Sequence, residues 1–133
     1  MIPTLTTVPQ FADARGSLCS VEALSDVPFE VARVYWISSV PSGMERGGHA
    51  HRNVTEMLIA VAGSFRVSWA GAEHEGAATL SAPRDALIIP PLFWRDLDGF
   101  SADAVCVVLA SGPYDPDEYV HDRAELRRLA AAQ

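Results

Sequence analysis

Glycine and proline recur along most of this chain, so that its regular elements must be short. Between these turn residues lie segments rich in β-branched and aromatic side chains, and many short strands of this kind are typical of a β-sandwich or barrel. The segments are 18–21, 31–37, 57–61, 64–69, 86–89 and 104–110. Only residues 123–132 favour a helix, with Asp122 as its N-cap. The sequence therefore predicts an all-β fold with a short C-terminal helix.

Length and charge narrow the class of protein. The 133 residues, 49% of them apolar, suit one domain over residues 1–133. A net charge of −7 argues against nucleic acid or an anionic membrane as a partner. No apolar run approaches the roughly 18 residues that span a bilayer, and the N-terminus does not resemble a secretion signal. We therefore expect a cytoplasmic protein that binds neither nucleic acid nor membrane.

All ten basic residues are arginine. The absence of lysine excludes Schiff-base catalysis, a lysine-anchored pyridoxal cofactor and a phosphate-binding loop of the usual lysine type. An anionic small molecule remains possible, because clustered arginines bind phosphate well.

The most informative motif surrounds two histidines. His49 and His51 are two residues apart, so on a strand both side chains point to one face. Gly43, Glu56 and Gly63 flank them at fixed intervals of five, four and six intervening residues. Taken alone, a His-x-His pair is often just exposed strand. The complete spacing resembles the first motif of the cupins, which implies a jelly-roll barrel with a ligand pocket inside it.

A metal site is the first question that this resemblance raises. His49, His51 and Glu56 are possible ligands, and metal-binding cupins add a histidine from a second motif. Here that motif is 90–95, and its last position holds Arg95, which cannot ligate a metal. We therefore predict no metal. A metal-dependent cupin enzyme using the three possible ligands remains the alternative.

Over nearly its whole length, the chain also resembles the small cupin 3,4-ketoisomerases that act on dTDP-4-keto-6-deoxyhexoses. The matching segments are Phe11, Asp13, Arg15-Gly16 and Leu18, Pro28-Phe29, Arg33-Val34-Tyr35-Trp36, Arg46-Gly47-Gly48-His49-Ala50-His51, Ile89-Pro90-Pro91 and Trp94, Val108-Leu109-Ala110-Ser111, Tyr114-Asp115 and Asp117-Glu118-Tyr119. The resemblance implies a dTDP-linked keto-deoxysugar substrate, no cofactor, a role in 3-amino sugar biosynthesis, and a homodimer that exchanges N-terminal strands. Glu56, Arg95 and His121 depart from the family pattern, which leaves the stereochemistry of the product open.

Such an isomerase moves a keto group from C4 to C3 through an enediol or enediolate, and histidine suits this proton transfer because its ordinary pKa is about 6.5. We predict His51 as the principal base and His49 as its partner. Tyr35 and Arg46 are expected to donate hydrogen bonds to the developing oxyanion. Glu56 either orients a histidine or acts as a base itself.

The nucleotide needs cations and a flat surface. We predict that Arg33, Arg46 and Arg95 bind the diphosphate, because guanidinium groups bind phosphate oxygens in pairs. Trp94 is the predicted stacking surface for thymine, with Trp36 and Tyr114 as alternatives, and with the possibility that Trp94 only fills the barrel. A cupin that binds a sugar nucleotide without catalysis is the remaining rival reading.

Overall fold

The computed structural model describes residues 1–133, and it is built almost entirely of short strands. The strands are β1 (Thr4–Thr7), β2 (Gln10–Asp13), β3 (Gly16–Cys19), β4 (Arg33–Ser38), β5 (Arg46–His51), β6 (Glu56–Ala62), β7 (Ser64–Ala70), β8 (Glu75–Ser81), β9 (Asp85–Ile89), β10 (Trp94–Asp98), β11 (Val105–Ala110) and β12 (Tyr119–Val120). One 3₁₀ turn (Pro116–Glu118) and one helix, α1 (Arg123–Ala131), complete the chain. That helix is too short to cross a membrane.

Two five-stranded antiparallel sheets face each other and form the barrel. The first has the order β1-β9-β6-β11-β4, and the second has the order β12-β5-β10-β7-β8. Neighbouring strands in both sheets are mostly distant in sequence, as in a jelly roll. β2 and β3 form a separate hairpin that joins neither sheet. The predicted all-β jelly-roll barrel with a short C-terminal helix is confirmed.

The space between the sheets holds the main core at one end of the barrel. Inward residues from both sheets meet there, and Phe65, Leu80, Leu87 and Cys106 are fully buried among them. Phe100 stacks on Phe65 with ring centroids 5.4 Å apart. Apolar packing therefore closes this end of the barrel.

The outer faces of the two sheets are covered separately. Residues of the N-terminal segment, including Val8 and Val27, pack on the outer side of β6 and β11. Helix α1 covers the second sheet through Leu126, which packs on Ala50 and Val120. Its N-cap is Asp122, whose side chain accepts a hydrogen bond from the backbone N–H of Ala124. The helix agrees with the prediction except that it ends one residue earlier, at Ala131.

A β-bulge interrupts β5 just before the two histidines. The register with β10 shifts between the pairs Arg95–His49 and Asp96–Gly47, and both Gly47 and Gly48 have positive φ angles. A Cβ at Gly47 would lie 2.8 Å from the backbone oxygen of Arg95, so a side chain cannot fit there. The extra residue reverses the alternation of side chains along the strand. Arg46 and His49 therefore share the inner face although they are three residues apart.

Candidate active site

A pocket opens at the end of the barrel opposite the apolar core. Its cavity volume is about 470 Å³, which is within the usual range for small-ligand sites. The inner faces of β4, β6 and β11 form one wall, and those of β5, β10 and β12 form the other. The lining residues include Arg33, Tyr35, Glu45, Arg46, His49, Glu56, Leu58, Arg95, Leu97, Val108, Tyr119 and His121.

The two histidines of β5 lie side by side, as the His-x-His spacing predicts: His49 lines the pocket, and His51 is buried next to it. Their ring centroids are 5.0 Å apart and the rings are nearly perpendicular. His51 is only 2% exposed, whereas His49 is half-buried. Both ring nitrogens of His51 and Nε2 of His49 lack a hydrogen-bond partner within the protein. Buried polar atoms are normally paired, so these nitrogens lack the partner that a folded protein usually provides.

Glu56 lies at the bottom of the pocket and is shared by three side chains. One of its carboxylate oxygens, Oε1, accepts a hydrogen bond from Arg95 Nη1 at 2.8 Å. The other, Oε2, accepts one from the hydroxyl of Tyr35 at 2.9 Å. His51 Nε2 lies 3.3 Å from Oε1, although it is not aligned for a hydrogen bond. Burial alone would raise the pKa of Glu56, but His51, Arg95 and Tyr35 outweigh it and hold this pKa at about 2.

The same surroundings keep His49 neutral. Burial is the main cause that lowers the pKa of His49 to about 4, and the positive charge of Arg95 adds to it. At neutral pH this imidazole can therefore accept a proton.

Tyr35 is held in its protonated form. Burial and then the negative charge of Glu56 raise the pKa of its phenol well above its ordinary value. Its hydroxyl proton is committed to Glu56. The predicted role of Tyr35 as a donor to the substrate oxyanion would require breaking that bond, so the contact favours a positioning role instead.

One of the three possible metal ligands in the pocket, Glu56, is already bound by other side chains. His49, His51 and Glu56 have possible ligand atoms within 4.8 Å of one another. However, both oxygens of Glu56 are already engaged, and Arg95 places a permanent positive charge on one of them. A second cation would be repelled there or would have to displace the guanidinium.

The mouth of the pocket carries cations and aromatic rings. Nη1 of Arg33 donates a hydrogen bond to the Tyr119 hydroxyl at 3.0 Å, and its guanidinium lies 4.4 Å from the ring centroid of Tyr35. Arg46 is exposed and lines the same opening. The ring of Tyr119 stacks on His121 with centroids 5.8 Å apart. Arg33 and Arg46 therefore place two positive charges at the mouth of the pocket, where the carboxylate of Glu45 also lies.

Comparison with known proteins places the chain in a family. The family model described as "FdtA: WxcM-like, C-terminal" matches residues 1–131. This chain belongs to the FdtA family. It is 34% identical over 119 residues to TDP-4-oxo-6-deoxy-alpha-D-glucose-3,4-oxoisomerase from Aneurinibacillus thermoaerophilus. These 119 residues cover 90% of this chain and 86% of the relative.

Solved structures resemble this FdtA-family chain over almost its whole length. A mutant of the 3,4-ketoisomerase QdtA from Thermoanaerobacterium thermosaccharolyticum, in complex with TDP-4-keto-6-deoxyglucose, superposes with a TM-score of 0.93 at 30% identity, covering 98% of this chain and 95% of that one. The TDP-quinovose 3,4-ketoisomerase WlaRB from Campylobacter jejuni superposes with a TM-score of 0.90 at 33% identity, covering 95% of this chain and 97% of that one.

Two of the predicted substrate-binding residues of this FdtA-family chain lie away from the mouth of the pocket. Arg95 lines the pocket but is only 1% exposed, and it bonds to Glu56 and to the backbone oxygen of Phe93. Trp94 is on the opposite side of β10 and packs with Val120 and Leu126 beneath α1. Successive residues of a strand face opposite ways, so an inward Arg95 requires an outward Trp94. Trp94 thus neither lines the pocket nor fills the barrel.

Tyr119 and His121 of this FdtA-family chain line the pocket although they were not predicted to do so. Tyr119 pairs with His51 across β12 and β5, and its ring centroid lies 4.7 Å from that of His51 and 4.9 Å from that of His49. The signal was local and weak: two aromatic side chains flank the buried Val120, which is the alternation of a short strand.

Proposed function

We propose that this chain moves the keto group of a dTDP-4-keto-6-deoxyhexose from C4 to C3. The observation that carries the proposal is the pair of adjacent histidines with unpaired nitrogens, one of which lines the barrel pocket. Paired imidazoles suit a reaction whose two proton transfers occur at adjacent carbons. The 34% identity to a named TDP-sugar 3,4-oxoisomerase supports the same reaction.

In the proposed mechanism a histidine removes the proton from C3, which the neighbouring C4 carbonyl makes acidic. The resulting enediol or enediolate then accepts a proton at C4, and C3 becomes the carbonyl carbon. We assign the first transfer to His51, because it is the more deeply buried imidazole and lies beside the ionised Glu56. A carboxylate at this position stabilises the imidazolium that forms. The reaction needs no redox cofactor, because the sugar is oxidised at one carbon and reduced at the next.

The proposed nucleotide site lies at the rim. Arg33 and Arg46 are the cations near the opening, and each guanidinium can bind two phosphate oxygens. This arrangement directs the sugar toward the histidines, while the nucleobase stays nearer the solvent.

We also propose a symmetric homodimer. The β2–β3 hairpin belongs to neither sheet, and its Phe11 and Leu18 are 64% and 59% exposed. β4 is an edge strand whose outward face presents Val34 and Trp36, the latter 67% exposed. Exposed apolar surface of this kind is typical of a contact between protein chains. Analytical ultracentrifugation at micromolar concentration tests the proposal, and a sedimentation coefficient of a 14.3 kDa monomer would contradict it.

The decisive experiment follows dTDP-4-keto-6-deoxyglucose in deuterated water by NMR. We expect loss of the C3 proton signal, appearance of a 3-keto product, and deuterium at C4 of that product. A chain that only binds the nucleotide sugar would produce no exchange. Exchange at C5 instead of C3 would indicate an epimerase and would refute the proposal.

The close approach of His49, His51 and Glu56 is the one observation that favours a metal-dependent cupin enzyme as a second candidate. Dialysis against a chelator separates the two. The metal-free ketoisomerase keeps its activity, whereas the second candidate loses it and regains it with one specific divalent ion.

A further inference from the structure

Tyr119 occupies a position that the reaction proposed above leaves without an assigned role. It belongs to β12, directly opposite His51 on β5, and residues paired in this way have adjacent side chains on one face. Val120, the next residue, points to the other face and is fully buried beneath α1. This anchor fixes the direction of the Tyr119 ring. As a result its ring contacts both histidines, with centroids less than 5 Å away.

The two tyrosines of the pocket use their hydroxyl groups in opposite ways. The hydroxyl of Tyr35 donates its proton to Glu56. The hydroxyl of Tyr119 instead accepts a hydrogen bond from Arg33, because a guanidinium can only donate. The proton of Tyr119 is therefore free for another acceptor. Among the residues that line the pocket, no other hydroxyl group has a free proton and lies next to both histidines.

We propose that Tyr119 is the general acid of the ketoisomerisation, which protonates the oxygen at C4 while a histidine removes the proton from C3. This inference rests on the proposed function. The electrons of the C3–H bond form the C3–C4 double bond, and the electrons of the C4 carbonyl take the proton of Tyr119. In the second half, the imidazolium, whose N–H proton exchanges with solvent, gives a proton to C4, and the hydroxyl at C3 gives its proton to the Tyr119 phenolate as the C3 carbonyl forms. Both groups end as they began.

Arg33 makes this exchange of protons feasible. Its guanidinium donates to the Tyr119 oxygen at 3.0 Å, and such a bond strengthens when the oxygen becomes negative. Stabilisation of charge that exists only during the reaction is the kind that accelerates it. Arg33 is thus a positioning residue for Tyr119 in addition to its proposed contact with the diphosphate.

The test begins with wild-type protein and dTDP-4-keto-6-deoxyglucose, and continues with Tyr119→Phe and Tyr35→Phe under the same conditions. Loss of a general acid typically costs about 10²–10⁴-fold in rate. We expect Tyr119→Phe to lower kcat by about 10²-fold or more while KM and the affinity for TDP change little. Tyr35→Phe, which removes only the bond to Glu56, should lower kcat less.

A fluorinated tyrosine placed at position 119 supplies the second measurement, and it keeps the shape of the ring. A general acid works only while protonated, so activity falls as the pH rises through its pKa. The more acidic fluorophenol should therefore move the alkaline limb of the kcat profile to lower pH. A merely structural role for Tyr119 would leave that limb unchanged.

The outcomes separate the two proposals. If wild-type protein neither exchanges the C3 proton nor forms product, the ketoisomerase function is wrong, and the role of Tyr119 falls with it. If wild-type protein is active but Tyr119→Phe turns over at a similar rate, or the fluorinated variant keeps the wild-type pH profile, only the role of Tyr119 is overturned.

Discussion

At the closed end of the barrel, inward residues such as Phe65, Leu80 and Leu87 are apolar and fully buried. At the open end, the same sheets direct ionisable side chains inward. Single strands contribute to both ends: β6 carries Glu56 at the pocket and Ala60 in the apolar core, with Leu58 between them. The change from polar to apolar side chains therefore occurs within a single strand, between residues two to four positions apart, rather than between separate parts of the chain.

The two ends obey different physical rules. Apolar burial has no direction and stabilises roughly in proportion to the area removed from water. A buried charge must have a partner, and Glu56 has two hydrogen-bond donors for this reason. The histidine nitrogens at the open end are left unpaired, which costs stability but leaves them available for proton transfer. The comparison suggests that the closed end supplies stability while the open end supplies chemistry.

The strongest test of this division replaces the base at the open end. We expect His51→Asn to reduce ketoisomerisation and C3 deuterium exchange by about 10²–10⁴-fold, because asparagine cannot accept the proton. Affinity for TDP should stay near that of the wild type, since the proposed diphosphate contacts lie at the rim. NMR in deuterated water and titration calorimetry with TDP give the two measurements.

His74→Asn is the matched control for that substitution. His74 packs against Trp69 and Phe93 outside the pocket, so its loss should spare turnover. If His51→Asn retained activity while Glu56→Gln did not, the base would be Glu56 and our assignment would be wrong.

Breaking the buried ion pair at the open end should mainly affect stability. Arg95→Met leaves Glu56 ionised and without its cation, and removing one partner of a buried pair typically costs about 3–5 kcal/mol of unfolding free energy. Urea denaturation measures this loss. Adding Glu56→Gln should recover part of it, because the uncompensated charge is then gone. Arg15→Met is the surface control: its pair with Asp13 is solvent-exposed and screened by water, so we expect a much smaller loss than for Arg95→Met.

Phe65→Ala applies the same measurement to the closed end. Phe65 is fully buried, and deleting such a ring typically costs about 3–5 kcal/mol through lost burial and the cavity that remains. In the folded fraction, TDP binding and kcat should be close to wild type, because the ring lies outside the pocket. A large fall in kcat without a fall in stability would show that the two ends are not separable in this way.

A smaller expected effect concerns the stability of the protein at acidic pH. The pKa of His49 is about 4 in the folded protein, against an ordinary value of 6.5. Between these two values the unfolded chain binds a proton that the folded protein does not, so the free energy of unfolding should decrease as the pH falls from about 6.5 to about 4. Above pH 6.5 His49 contributes no such dependence. His49→Gln should flatten the curve in this window, and equal slopes for both proteins in urea titrations would contradict the shift.

Several features of the site were predictable because they depend on local periodicity. The two-residue spacing places His49 and His51 on one face, and the same rule on β4 turns Tyr35 inward and Trp36 outward. The Asp122 cap and the helix after it also follow from neighbouring residues. The orientation of Trp94 was harder to predict, because aromatic character alone does not tell which side of a sheet a residue occupies.

The sequence by itself determined the class of fold, the histidine pair and the absence of lysine chemistry, since each of these depends on residue type and short-range spacing. Only the tertiary structure decided which side chains complete the site. The bulge at Gly47 and Gly48 brings Arg46 to the inner face, against the simple alternation of a strand. Pairing between β12 and β5 brings Tyr119 beside His51, 68 positions earlier in the chain, and Arg95 reaches Glu56 across the barrel. Such contacts depend on register and on partners distant in sequence, which no local pattern encodes.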